Sequence, residues 1–514
     1  MNRWSALALL LALAGALALR VPKLDTRPLH NDEAVNAIKV SELWQHGRYA
    51  YDPDEYHGPV LHYATLPFLW LSGAHNSDEL DDATLRLAPV AFGVGLILLL
   101  LLFSDGLGRH ALIWSALFIA VSPAMVFYSR YFIHEMPLVF FSTLTLGAGW
   151  RYSQTRSAHW AMLAGAGVGL MFATKETFVI TLAAMGLAGI ITVWWTLPKG
   201  TRVWSLIKYW NWKHAALAFG ATFIIWLSFF SSFFTNFNGL LDSIRTYLPW
   251  LKRAGGHSPH IHPWNFYLER LAWFHPAKGP IWSEGLILVL SFVGAALSFA
   301  GKKSPLLRFL ALYTIILTAL YSLISYKTPW CLLNFYLGMI LLAGVGAAAL
   351  VDVFKARVPK VVVATVLCAL TVQLTCQAWR ASFFYAADRR NPYVYAQTVP
   401  DLLKLVERTD GLARVAAVGH DTVVKVISQE SDYWPLPWYL RRFKHVGWYD
   451  KMPDDPFAPI ILVASRLDAR LDDKSEKKWL MVGLTELRPG KFFELYVELE
   501  LWKKYVESLP RERE

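Results

Sequence analysis

Cysteine is scarce. Cys331, Cys368 and Cys376 are the only three in 514 residues. All lie in or at apolar segments, which excludes a disulfide framework and a thiolate metal cluster. Charge is scarce too: charged residues make up 17% and hydrophobic residues 55%, proportions that do not fit a soluble globule. No Gly-rich phosphate fingerprint follows a strand-like run, and there is no low-complexity tail or short-period repeat. Acids are nearly missing from one set of loops, where Asp105 and Asp352 stand almost alone among lysines and arginines. The formal charge of +11 therefore reads as membrane topology and not as a nucleic-acid surface.

What is abundant is apolar sequence. Stretches suited to spanning run at 4–21, 84–104, 111–128, 134–150, 159–173, 178–196, 214–235, 282–300, 306–324, 329–350 and 359–378, each near the ~20 residues a helix needs to cross a bilayer. The first, although AGA within it resembles a peptidase site, is expected to stay as an anchor, because ten more spans follow. The 23 Trp and 22 Tyr suit membrane–water interfaces.

With the N-terminus inside, the inner loops hold Arg109; Arg151 and Arg156; Lys199, Arg202, Lys208 and Lys213; Lys302, Lys303 and Arg308; and Lys355, Arg357 and Lys360. Five loops thus agree on one orientation. The outer side receives 22–83, turns near 129–135 and 174–177, the loop 236–281, the turn 325–328, and everything after about 379. The expected fold is a polytopic α-helical membrane domain over 1–378 and an extracytoplasmic α/β domain over 379–514, in a multi-pass cell-membrane protein. In the outer domain RVAAVG, PIILVAS and FFELYVELEL read as strands, and DLLKLVERTD and DYWPLPWYLRRF as helices. Residues 32–46 and 58–72 read as helices lying on the outer interface, with Asp32 placed to cap the first.

This topology collects polar groups on one face. Asp32 and Glu33 sit in RPLHNDEAVN, Arg130, His134 and Glu135 in SRYFIHEMP, Lys175 and Glu176 in ATKETFV, and Lys327 in SYKTPW, while His57 and His62 flank the interfacial segment 58–72. Charges at the edges of spans are costly unless paired or functional. Bland roles are available: Asp32 as a helix cap, Arg130 with Glu135 as an ion pair, Lys175 and Lys327 reaching to the interface. The chemical reading is a carboxylate base beside cations, Arg130, Lys175 and Lys327, that meet a departing phosphate. That fits transfer of a sugar from a lipid phosphate. Neighbouring helical residues point about 100° apart, so only one of Asp32 and Glu33 faces the reacting atoms. On this ground one of the two is the base and the other its support. A lipid-linked saccharide translocase or its accessory subunit is the alternative, although translocases place such groups near the midplane.

RPLHNDEAVNA, EYHGPVLHY, DDATLRLAPVAFG, SPAMVFYSRYFIHEM, GLMFATKETF, SYKTPWCLLNF and DYWPLPWYLRRF together resemble the GT-C class of membrane glycosyltransferases, which includes protein mannosyltransferases and aminoarabinose transferases. The closer resemblance is to the flippase-activity-associated family of archaeal-type glycosylation. It implies a polyprenyl- or dolichyl-phosphate sugar donor, inversion at the anomeric carbon, and a glycan, lipid or protein acceptor on the outer face. It places the catalytic base on Asp32 and a second acid on Glu135. His57 and Gly58 stand where aminoarabinose transferases carry acidic and lysine residues, so donor and metal roles there do not transfer.

Trp434 and Trp438, in the rigid aromatic run 433–439, with Arg441 just after it, can pair with sugar faces and anionic groups or dock the domain onto the membrane part. Tyr56, His57 and Trp330 join them as acceptor- or sugar-binding candidates. His57, His257, His260 and His262 form the one candidate metal set, for a divalent ion (Zn, Mg or Mn), with an interfacial loop rich in polar aromatics as the alternative.

Overall fold

The computed structural model describes residues 3–54, 57–197, 211–250, 260–276, 278–300 and 304–510. Tyr56, His257, Lys199, Arg202, Lys208, Lys302 and Lys303 lie outside the described residues.

Every stretch expected to span is helical. Seven helices are long and apolar enough to cross a membrane unaided: Arg3–Arg20, Asp82–Leu107, Phe178–Thr196, Trp212–Phe230, Pro305–Leu323, Pro329–Asp352 and Arg357–Phe384. Ala158–Phe172 and Gly285–Phe299 are apolar but shorter, and Glu135–Thr155 carries more polar residues.

The remaining stretch is broken. Arg109–Val121 and Pro123–Ser129 meet at a bend of 56°. The cause is local: Pro123 has no N–H to offer the Ile119 carbonyl, and Ser122 starts a new helix by accepting from the Met125 N–H. The fold repairs the break from outside. Arg20, fully buried at the end of the first span, donates to Ile119 O at 2.7 Å and Ala120 O at 2.8 Å. Glu284 accepts from the Ala124 N–H at 2.9 Å and from the Ser122 hydroxyl at 2.6 Å. The Tyr336 and Tyr393 hydroxyls also donate to Glu284, both at 2.6 Å. Orphaned groups at helix ends must find such partners when buried. The bend aims the turn from Arg130 to Glu135 toward the outer loop.

That loop carries two helices. Asn31–His46 begins at His30, whose Nδ1 accepts from the Asp32 N–H, and ends at Gly47 in the left-handed region. The cap is therefore His30 and not Asp32. Val60–Ser72 follows, with Trp70 and Leu71 exposed.

Beyond the last span stands a five-stranded sheet. The strands are β1 (Val424–Ile427), β2 (Val446–Tyr449), β3 (Ile460–Ala464), β4 (Trp479–Arg488) and β5 (Lys491–Glu498), in the order β2-β1-β3-β5-β4. β1 is parallel to β2 and β3, and β5 is antiparallel to β3 and β4. β3 is buried along its whole length, packed on one face under the helix Asp401–Val415.

Three expectations fail here. RVAAVG closes that helix and is not a strand. FFELYVELEL is β5 followed by the helix Leu499–Ser508. DYWPLPWYLRRF makes only one helical turn, Leu436–Tyr439, because its prolines leave too few N–H groups for more.

Candidate active site

Asp32 and Glu33 have opposite surroundings. Glu33 is fully buried. Arg86 clasps its two oxygens at 2.8 Å each, and Arg27 donates to both at 3.0 and 3.1 Å. The backbone N–H groups of His30 and Phe132 add bonds of 2.9 Å. Burial pushes the Glu33 pKa up, but the charges of Arg27 and Arg86, with bonds from Arg86 and His30, outweigh it and hold the carboxyl at about 2. Glu33 thus knots the outer loop to the helix Asp82–Leu99 and to the turn after the bent span.

Asp32 turns the other way. Its side chain is 44% exposed and stands 3.8 Å from His30 Nδ1. Among the described residues its carboxylate accepts no hydrogen bond, because His30 has taken the cap. The His30 ring is fixed as the tautomer that donates from Nε2 to Tyr395 O at 3.1 Å and accepts the Asp32 N–H at Nδ1.

Asp32 lines a cavity of about 290 Å³, whose wall also includes His57, His134, Glu135, Lys175 and Trp330. Lys175 Nζ is paired with Glu135 Oε1, and both are buried. A buried ammonium needs such a partner. Apolar and aromatic walls, among them Ile133, Ile180, Tyr267, Tyr321, Ile324 and Trp330, complete the cavity. Its polar lining comes from the outer loop and from the outer ends of spans.

The approach of the outer loop to Lys175 depends on one glycine. The Gly58 N–H donates to Thr174 O at 3.1 Å and its carbonyl accepts from His134 Nε2 at 3.1 Å. A Cβ there would stand 2.2 Å from Ala173 O, so only glycine admits the contact. This places His57 against the turn at 173–177, with its Nδ1 2.7 Å from the buried Glu176, which also accepts from the Tyr51 hydroxyl at 3.2 Å.

Other candidates do not converge on the cavity. Arg130 donates to Arg20 O, Pro22 O and Lys23 O at 2.7 to 2.9 Å and lies over the Phe383 ring. It closes the chain after the first span, pairs with no acid among the described residues, and does not line the cavity. Lys327 Nζ donates to His262 O at 3.1 Å and to Ile324 O, so this ammonium also serves backbone carbonyls. Of the three expected phosphate-facing cations, only Lys175 lines the cavity.

Of the candidate metal set, the described members His57, His260 and His262 are engaged elsewhere. His260 Nδ1 and His262 Nε2 both meet the Tyr395 hydroxyl, at 2.6 and 3.4 Å, while His57 engages Glu176. Among the described residues no three His, Cys, Asp or Glu side chains converge to hold a metal ion.

The aromatic run docks the outer domain. Trp438 is fully buried, its Nε1 2.8 Å from Asp82 Oδ1, and the Tyr439 hydroxyl donates to Asp82 Oδ2 at 2.6 Å. Arg441 covers the Trp438 ring at 3.7 Å and donates to Ser77 O and Leu80 O. Trp434 packs in the same cluster. None of Trp434, Trp438 and Arg441 lines the cavity, and the Trp438 ring is fully buried.

Residue patterns hid several participants. Arg20, Arg27, Arg86 and Glu284 are not singled out by sequence pattern. A lone acid opening the apolar run EGLILVL was the available signal.

A family model for dolichyl-phosphate-mannose-protein mannosyltransferase matches residues 61–241. No curated protein matches the chain by sequence. Among solved structures, ArnT from Cupriavidus metallidurans in the apo state is similar at TM-score 0.63 and 15% identity, over 96% of this chain and 97% of that one. The same protein bound to undecaprenyl phosphate gives 0.62 and 15%, over 96% and 98%. The Archaeoglobus fulgidus oligosaccharyltransferase in complex with Zn and sulfate gives 0.57 and 14%, over 90% of this chain and 68% of that one. The chain thus has the GT-C fold: a multi-pass helical membrane domain with a sheet-containing C-terminal domain outside the bundle.

Proposed function

We propose that the chain is an inverting glycosyltransferase. It moves a hexosyl or pentosyl group from a polyprenyl- or dolichyl-phosphate donor to an acceptor on the outer face. One observation carries the reading: a single cavity at the outer ends of the spans brings the uncommitted Asp32 carboxylate and the Lys175 ammonium together within apolar walls. A similar fold that carries undecaprenyl phosphate supports the class of donor.

In this reading the acceptor hydroxyl oxygen attacks the anomeric carbon and passes its proton to Asp32. The bond from that carbon to the phosphate oxygen breaks, and the lipid phosphate leaves with the electron pair. Lys175, held by Glu135, meets the charge that develops on it. Attack opposite the leaving group inverts the configuration. The lipid tail stays among the apolar residues. The same reading divides the chain at 378/379 and keeps the kinship with the flippase-associated family as a proposal about subfamily alone.

The test is incubation of the purified chain in lipid nanodiscs with a panel of labelled polyprenyl- and dolichyl-phosphate sugars. The expected result is release of lipid phosphate and a product of opposite anomeric configuration. Consumption of no donor, or retained configuration, would overturn it.

A further inference from the structure

One edge of the outer domain's sheet gathers cations, and one of them, Arg488, lies within electrostatic reach of Asp32. Asp432 follows β1, Arg466 follows β3, and Arg488 and Lys491 sit at the turn from β4 to β5. Because β1 and β3 are parallel and β5 runs antiparallel to β3, all four lie at the edge where β1 and β3 end. Carboxyl ends of parallel strands are a common place for ligands. Asp432 is shared by Arg466 at 3.1 Å, Arg488 at 3.2 Å and Lys491 at 2.6 Å. One carboxylate therefore serves three cations.

The edge is tied to the catalytic loop by short links. Leu487 O accepts from the Val399 N–H at 3.1 Å. The neighbouring Thr398 hydroxyl donates to Leu29 O at 2.7 Å, three residues before Asp32. Arg488 is mostly buried, and among the described residues its Nε finds no hydrogen-bond partner. Burial lowers its pKa against the raising pull of Asp432 and of Asp32 itself.

We propose that this edge binds an anionic group, phosphate or carboxylate, on the acceptor, with Arg488 as its principal ligand, and so presents the acceptor hydroxyl to Asp32. The proposal rests on the transferase reading above. Arginine suits the task because its planar fork meets such anions with two bonds.

Two measurements on the full chain in nanodiscs test it. The first is calorimetric titration with inorganic phosphate, which needs no donor. The second compares transfer from an active donor to n-octyl glucoside and to its 6-phosphate monoester. Binding is expected to weaken roughly tenfold or more in Arg488→Met. The parent is expected to favour the phosphorylated acceptor in kcat/KM by a similar factor, and the variant to lose that preference while donor KM stays the same. Lys491→Met, at a half-buried position, serves if Arg488→Met does not fold, with a smaller loss in the same direction. Turnover without a preference overturns the acceptor assignment alone. A raised donor KM with the preference intact assigns the cations to the donor and overturns it too. Absence of turnover with every donor overturns the transferase reading, and the acceptor assignment with it, even where phosphate still binds through Arg488.

Discussion

At the residue scale, two neighbouring carboxylates have opposite surroundings. Asp32→Asn keeps the size of the side chain and removes its charge, so transfer at saturating donor should fall by about 10²-fold or more with folding retained. Initial rates of the purified variant check this, and parental turnover would move the base elsewhere in the cavity. Glu33→Gln should instead harm stability. It leaves Arg27 and Arg86 buried against a neutral amide, a change that costs about 3–5 kcal/mol, read as a lower midpoint of thermal unfolding. The pH sign follows from the depressed pKa. Folding lowers the Glu33 carboxyl from 4.5 to about 2, so its stabilisation is full above the unfolded value and is lost as pH falls through that interval. Unfolding between pH 5 and 2 should therefore be steeper in the parent than in Glu33→Gln.

Contacts between elements rest on a few close approaches. Gly58→Ala puts a methyl group into the Ala173 carbonyl, and backbone cannot rotate away as a side chain can. The expected cost is about 1–3 kcal/mol, with slower donor turnover because the turn at 173–177 carries Lys175. Thermal unfolding and donor turnover measured on the same sample check both parts. Trp438→Ala removes the buried ring that seats the outer domain on Asp82. A loss of about 3–5 kcal/mol is expected, together with faster limited proteolysis between 379 and 400. Intact stability would mean that the linker alone holds the domain in place.

At the scale of the whole molecule, the basic inner loops and the outer cavity require one orientation. In a variant whose three cysteines are replaced by serine, Lys404→Cys should react with an impermeant thiol reagent in intact cells. Position 404 is a suitable probe because its side chain is 81% exposed. Labelling only after lysis would place the sheet inside and undo the argument that donor and acceptor share the outer face.

Hydropathy alone located every helix that, among the described residues, is long and apolar enough to cross a membrane, because twenty apolar residues in a row have few other homes. The same rule applied to basic loops assigned the face on which the polar groups gather. Short strands such as Val424–Ile427 and Val446–Tyr449 escaped, since four residues carry little periodicity and their pairing is set by distant partners. The choice between Asp32 and Glu33 as the carboxylate that faces the cavity was legible as helical geometry, but which of the two it is was decided by Arg86, distant in sequence, and by a histidine that took the cap. Only packing could turn Arg130 and Lys327 onto backbone carbonyls and leave Lys175 at the cavity, because a cation's partner is whatever acceptor the fold brings within reach. The tertiary structure likewise turned an aromatic run that could have held a sugar into the joint between two domains, since burial of Trp438 against Asp82 depends on surfaces that meet only once both parts have folded.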